Sequence, residues 1–274
     1  NITNTTAAHE KYPAWSPDGK LIAYFSDASG EYQLDIQSQD GKGDVKSFKM
    51  TGTVFYTNPR WSPDGKKIAY VDNGRNLYVL AVASGPIEKI DSDELYVPGP
   101  FRDIFSDWSS DSKWIAYTKV TATQFKKVLL YSVDEQKSYP LTDGLSDASE
   151  PCFSHNGKYL YFFASTDAGP VINWFDQSNE DSRKTSSIYL VTLQSQTPSP
   201  LAKESDEEAA ETKKEEKADV KGDMKKAATS AELKIDWDGI QDRIIDIPVK
   251  AGNYDQLGVS ADESLLYVER ADNG

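Results

Sequence analysis

The first residues in this chain that could do chemistry are carboxylates held at a fixed place in a recurring phrase. Asp18, Asp64, Asp111 and Asp262 each stand in or near a Ser-Pro-Asp-Gly-Lys pattern. Spaced carboxylates can act as general acid and base. Here the context assigns them another role. Proline presets φ, aspartate bonds its own backbone and glycine takes the left-handed conformation, so the phrase is a tight turn and its aspartates are structural. The two histidines, His9 and His155, lie outside any metal-ligand spacing, and His155 occupies the proline position of one such turn. Cys152 is the single cysteine, which leaves no intrachain disulfide to form. It occupies the place of Ala14, Arg60 and Asp107 in the other copies, beside an aromatic, and reads as a small buried strand residue rather than a nucleophile. Asp91-Ser92-Asp93-Glu94 lacks the glycine and distal glutamate of a calcium loop and reads as a solvated turn. No Gly-x-Ser-x-Gly elbow, phosphate-binding loop or dinucleotide fingerprint is present, and nothing selects a Ser-His-acid set. No catalytic residue, metal or cofactor is assigned.

The elements that carry these residues form a tandem repeat. Trp15, Trp61, Trp108 and Phe153 follow one another at 46, 47 and 45 residues, the period of a four-stranded propeller blade. After each turn comes a short β-branched and aromatic run, as in Leu21-Ile22-Ala23-Tyr24-Phe25 and Lys67-Ile68-Ala69-Tyr70-Val71, which reads as a strand. Third strands are predicted at 32–37, 77–82, 128–133 and 188–193, and weaker fourth strands near 45–50, 87–90, 138–141 and 243–249. A degraded fifth copy covers Gln256 to Ser264, with Val259 at the tryptophan position. The fold class is therefore all-β, a partial β-propeller of about four to five four-stranded antiparallel blades. The blades fall near 12–52, 56–94, 104–147 and 148–250, with a partial one at 251–274.

The period breaks once, where 106 residues separate Phe153 from Val259. Two insertions account for the surplus: one from about Thr166 to Ser187 with Trp174 and Phe175, and a charged one at 202–230. The second has almost no large apolar side chains and is predicted to be disordered or a frayed solvated helix. At the ends, Ile2–Thr6 reads as the last strand of a preceding blade, and Asp272-Asn273-Gly274 opens a turn, so the chain is expected to be an excerpt of a larger protein. Open blade edges favour self-association. A net charge of −14 argues against a nucleic-acid partner, which needs clustered Lys and Arg, and no apolar run approaches membrane-spanning length.

The Trp-Ser-Pro-Asp-Gly-Lys phrases followed by Ile-Ala-Tyr resemble the propeller repeats shared by TolB and the tricorn-type peptidases. More specific are the opening Asn1–Thr5 with Ala14–Lys20 and Ala23–Tyr32, and the closing Ile235-Asp236-Trp237-Asp238-Gly239-Ile240-Gln241-Asp242-Arg243-Ile244 with Val249–Tyr254. Those blocks resemble the second propeller of tricorn-like serine peptidases over essentially the whole chain. The resemblance implies a non-catalytic propeller that gates or guides peptides, the reacting residues lying in domains that follow. Its partners would be peptides or those other domains, and its setting cytoplasmic in preference to periplasmic. By position the channel is lined by 12–15, 58–61, 103–108, 150–153 and 255–259, and Arg60, Arg102, Asp107 and Glu150 are the expected contacts for peptide ends or backbone. Two other readings share the repeat phrase. A TolB-like interaction module should lack the charged insert and the Asp-Gly-Ile block, and a prolyl-oligopeptidase-type propeller should be followed by an α/β-hydrolase domain.

Overall fold

The computed structural model describes residues 2–3, 5–50, 54–93, 104, 106–166, 185–202 and 232–270. Among them every regular element is a β-strand except one 3-10 turn at Gln241–Arg243. The first blade runs β1 (Glu10–Trp15), β2 (Leu21–Ser26), β3 (Gln33–Ser38) and β4 (Lys46–Lys49). The second is β5 (Tyr56–Trp61), β6 (Lys67–Asp72), β7 (Asn76–Ala81) and β8 (Ile87–Ser92), and the third β9 (Ser106–Trp108), β10 (Trp114–Val120), β11 (Lys126–Ser132) and β12 (Lys137–Pro140). The fourth is β13 (Asp147–Phe153), β14 (Tyr159–Ser165), β15 (Ser187–Thr192) and β16 (Ile244–Asp246), and β17 (Tyr254–Val259) pairs with β18 (Leu265–Glu269). Each sheet is an antiparallel meander in chain order, as sequential hairpins dictate. Ile2, Thr3, Thr5 and Thr6 lie outside any strand, contrary to the sequence expectation. The Ile2 backbone instead lies against the turn at Gly41, where an added Cβ would come within 3.1 Å of its carbonyl oxygen.

The turn chemistry is as the sequence dictates. Ser16 Oγ donates to Asp18 Oδ1 at 2.7 Å and accepts from the Leu21 amide at 2.9 Å, while Asp18 Oδ1 accepts from the Lys20 amide at 3.1 Å. Ser62–Asp64 and Ser109–Asp111 repeat the arrangement at 2.6 Å. Gly19, Gly65 and Gly157 take φ of 68–69° at the left-handed corner, and in the third and fifth copies Ser112 (φ 63°) and Glu263 (φ 66°) are forced into the same conformation. The carboxylates are thus consumed in closing turns.

Strand alternation places successive side chains in two different inter-blade cores. Ile68 and Tyr70 pack with Phe25, Leu34 and Phe48 of the first blade, whereas Ala69 and Val71 pack with Trp108, Ile115 and Tyr117 of the third. Phe153, Leu160 and Phe162 meet Val128, Leu130 and Leu141 in the same way, and Phe163 and Ile188 meet Leu257. The tryptophans divide accordingly. Trp61 and Trp108 are 8% and 7% exposed, but Trp15, at the same position of the repeat, is 58% exposed because no described sheet covers that face of the first blade.

The Asp-Gly-Ile-x-Asp-Arg block turns out to be a strap. Trp237 stacks on Tyr139 of β12 with ring centroids 4.6 Å apart, and Leu233 enters the core between the third and fourth blades. Arg243 then gathers three carbonyls: Nε donates to Thr192 at 3.0 Å, Nη1 to Asp238 at 2.7 Å, and Nη2 to Asp236. The remainder of the charged insert, 203–230, and residues 167–184 of the first insertion lie outside the described residues.

Candidate functional site

The innermost strand of four blades carries one shared irregularity. Tyr12, Asn58, Glu150 and Gln256, each three residues before the aromatic or valine of the repeat, have φ between 51° and 58°. At each of them the register to the next strand jumps, between Lys11 and Ala14, Thr57 and Arg60, Ser149 and Cys152, and Asp255 and Gly258. This is a β-bulge, and three of the four are followed by proline, which has no N–H to offer a ladder. A left-handed L-residue costs about 1–2 kcal/mol, which the surrounding sheet must hold. The effect is to re-aim the strand just before the residue that precedes the aromatic. Those residues are Ala14, Arg60, Cys152 and Gly258, where pairing resumes, as with Arg60 opposite Ala69; the equivalent residue of the third blade, Asp107, pairs with Ala116 in unbroken register. An alanine partner leaves room beside the longer side chain.

Four of these five positions meet in one cavity of about 340 Å³, lined by Arg60, Asp107, Cys152 and Gly258. Its apolar walls are Trp61, Trp108, Phe153 and Leu257, and the turns supply Ser110 and His155 at the position that is proline in Pro17 and Pro63. Asp107, Ser110, Cys152 and His155 of the third and fourth copies face the same space. The framework is cross-bonded between blades. The Trp61 indole N–H donates to the Ala14 carbonyl at 3.1 Å, and the Trp108 indole to the Arg60 carbonyl at 3.1 Å. Where phenylalanine replaces tryptophan, Asp107 Oδ2 accepts from the Phe153 amide at 3.0 Å, and His155 Nε2 donates to the Val259 carbonyl at 3.0 Å.

Electrostatically the cavity sets a guanidinium against an enclosed carboxyl. Burial pushes the Asp107 carboxyl above the usual carboxylate range, against the opposing pull of the Phe153 amide and the Arg60 charge. Burial and the neighbouring Asp107 push the Cys152 thiol up to about 12, so Cys152 is a protonated thiol at neutral pH and no nucleophile. Such a set can bind charged and apolar groups together.

Of the four residues expected to contact peptide, Arg60 and Asp107 are brought together in this cavity, and Arg102 lies outside the described residues. Glu150 stands apart from the cavity lining, turned toward the β17–β18 hairpin. Its Oε2 accepts from the Leu257 amide at 2.9 Å, and burial, with the neighbouring Asp255 carboxylate, raises its pKa. Asp255 is in turn held low by Arg270, whose Nε donates to it at 3.0 Å. His155 and Ser110 join the cavity without having been expected there, and Cys152, in the stretch 150–153 expected at the lining but read as a small buried strand residue, lines it too. The signal lay in their being departures from a repeat, which is visible only when the copies are aligned position by position. The Asp91–Asp93 segment is an inter-blade contact: Asp91 accepts from Tyr117 Oη at 2.7 Å and Lys119 Nζ at 2.6 Å, and Asp93 from the Val120 amide at 2.9 Å. Among the described residues no cluster of His, Cys, Asp or Glu is placed to hold a metal ion, and no helix is long and apolar enough to cross a membrane.

Comparison with known proteins adds to this geometry. The family profile described as the tricorn protease second beta propeller domain matches residues 1–274. Tricorn protease homolog 1 of Streptomyces coelicolor is 26% identical over 184 residues, covering 66% of this chain and 16% of that protein. Uncharacterized peptidase YuxL of Bacillus subtilis is 28% identical over 184 residues, covering 65% of this chain and 24% of that protein. The chain therefore spans a quarter or less of either relative. The crystal structure of the tricorn protease aligns over 91% of this chain and 22% of its own, with a TM-score of 0.62 at 16% identity, which is a likeness of fold.

Proposed function

This chain belongs to the family of tricorn protease second β-propeller domains, and from that premise we infer that it guides or gates peptides within a tricorn-like serine peptidase. The observation that carries the reading is the cavity at the inner strands, where Arg60, Asp107, Cys152, Ser110 and His155, at positions that vary from copy to copy, converge. Arg60 and Asp107 offer charge to peptide ends or backbone, and Arg102 and Glu150 belong to the same proposed set. The partners are peptides and the other domains of the peptidase, and open blade edges favour a homo-oligomer. The propeller binds and the chemistry is performed elsewhere: Cys152 is protonated and His155 is bonded to the Val259 carbonyl.

The test is direct. The chain should bind short unstructured peptides, measured by calorimetry, while turning over none of them. Peptide turnover that disappears on mutating a residue of this chain would overturn the non-catalytic assignment, and absence of peptide binding would overturn the guiding role.

A further inference from the structure

We propose that Asn73 is a site of covalent self-modification: the main-chain nitrogen of Gly74 closes on the Asn73 side-chain amide, and the turn between β6 and β7 passes through a succinimide to aspartate and isoaspartate. The chain has three Asn-Gly pairs, at 73–74, 156–157 and 273–274, and the third lies outside the described residues. The fold treats the other two in opposite ways. Asn73 and Gly74 are both exposed, and the Gly74 N–H donates to no acceptor among the described residues. Asn73 Oδ1 accepts from the Phe55 amide at 3.2 Å, while the Asn73 amide donates to the Phe55 carbonyl at 2.9 Å. The first of these bonds polarises the carbonyl under attack and places a donor where negative charge develops on its oxygen. Packing holds glycine at position 74, since an added Cβ would come within 2.9 Å of Asn76 Nδ2 and 3.1 Å of Asp72 Oδ1. The nucleophilic nitrogen is therefore unshielded by a side chain.

At the second pair these features are reversed. Gly157 is buried, its N–H donates to the Ser154 carbonyl at 3.1 Å, and an added Cβ there would touch Leu233 at 3.5 Å. Asn156 Oδ1 accepts from Ser154 Oγ and from the Lys158 amide, both at 2.9 Å, in the turn that aspartate closes in the other copies. Cyclisation at Asn156 must first break that turn. At Asn73 the reaction needs no co-reactant but water. The Gly74 nitrogen gives its proton to solvent and bonds to Asn73 Cγ, the Cγ–Nδ2 bond breaks, and Nδ2 takes a proton from solvent and leaves as ammonia. Water then adds to one imide carbonyl: at Cγ it regenerates the ordinary main chain with aspartate, and at the main-chain carbon it leaves isoaspartate. Aspartate keeps an acceptor for the Phe55 amide, whereas isoaspartate lengthens the main chain and breaks the reciprocal pair with Phe55.

The test incubates the whole chain in mildly alkaline buffer, folded and in urea, followed by digestion and mass spectrometry with electron-transfer fragmentation, which separates isoaspartate from aspartate. In the folded chain Asn73 should convert at least about tenfold faster than Asn156, the contrast expected when hydrogen bonds restrain one site and leave the other free. In urea the two should react at similar rates, because each is followed by glycine. Asn73→Asp should abolish the gain in mass of the peptide that carries position 73. Equal rates at the two sites in the folded chain, or an Asn73 that stays intact, would overturn the proposal. A contrast that persists unchanged in urea would overturn it as well, by placing the cause in neighbouring sequence and not in the fold.

Discussion

The indole N–H of Trp108 donates to the carbonyl of Arg60 at 3.1 Å, as Trp61 does to Ala14, so each of these tryptophans fastens its blade to the residue before the aromatic in the blade preceding it. The bond runs from a buried side chain to an inner strand, and it fixes the backbone from which the Arg60 guanidinium reaches the cavity.

Identical repeat positions should therefore have unequal costs. Trp108→Ala should destabilise the chain by about 3–5 kcal/mol, the range for emptying a core aromatic. Trp15→Ala, at the exposed equivalent, should stay within about 0.5 kcal/mol. Urea titrations of the two variants check the contrast, and similar midpoint shifts would contradict the division of the tryptophans.

Arg243→Met should destabilise by about 1–3 kcal/mol, since it strips charged donors from the Thr192, Asp236 and Asp238 carbonyls while keeping much of the apolar stem. Hydrogen exchange should show the loss concentrated in β15 and the 232–243 segment. Loss spread evenly over all blades would mean that the block does not act as a local strap.

Asp107→Asn should reveal the cost of ionising an enclosed carboxyl. The folded-state pKa is raised by burial, so the stability this group contributes is complete below the unfolded value of about 4 and is lost as pH rises through the folded value. Asparagine still accepts from the Phe153 amide and does not titrate. The melting temperature of the variant relative to the parent should therefore climb from pH 4 upward and level off once the carboxyl is ionised. A difference that is flat or falls with pH would contradict the sign.

Gly258→Leu should fill the cavity without disturbing the fold. Gly258 lines the cavity, its φ is ordinary, and an added Cβ meets nothing within 4 Å. The variant should keep its melting temperature within about two degrees, a shift of about 1 kcal/mol or less, and bind short peptides at least about tenfold more weakly. Undiminished binding would place the peptide elsewhere.

Much of the fold was legible because each blade is a local object. Ser-Pro-Asp-Gly turns and the runs after them fix hairpins within a few residues, so strands such as Leu21–Ser26 and Lys67–Asp72 fall where the sequence put them. Arg60 and Asp107 were legible for the same reason, through their place before the aromatic of an inner strand. The cavity itself was not, because Cys152 and Gly258, 106 residues apart in sequence, become neighbours only when β13 and β17 pack side by side. His155 looked like a substituted turn proline, and only the position of Val259 in space shows that its ring bridges two blades. The exposure of Trp15 was not legible either, since a repeat phrase states which face a residue occupies and not whether anything covers it.

Along the inner strands, two kinds of inter-blade fastener fall in different halves of the array. The first blades are joined by neutral indole bonds, whereas Phe153 and Leu257 hang by their amides from the carboxyls of Asp107 and Glu150. The indole bonds themselves are indifferent to proton concentration, whereas the amide–carboxyl bonds respond to it, as do the Asp91 and Asp93 contacts between the second and third blades. A change of pH would thus act on the inner strands chiefly at β13 and β17, where both amides hang from carboxyls whose pKa burial raises.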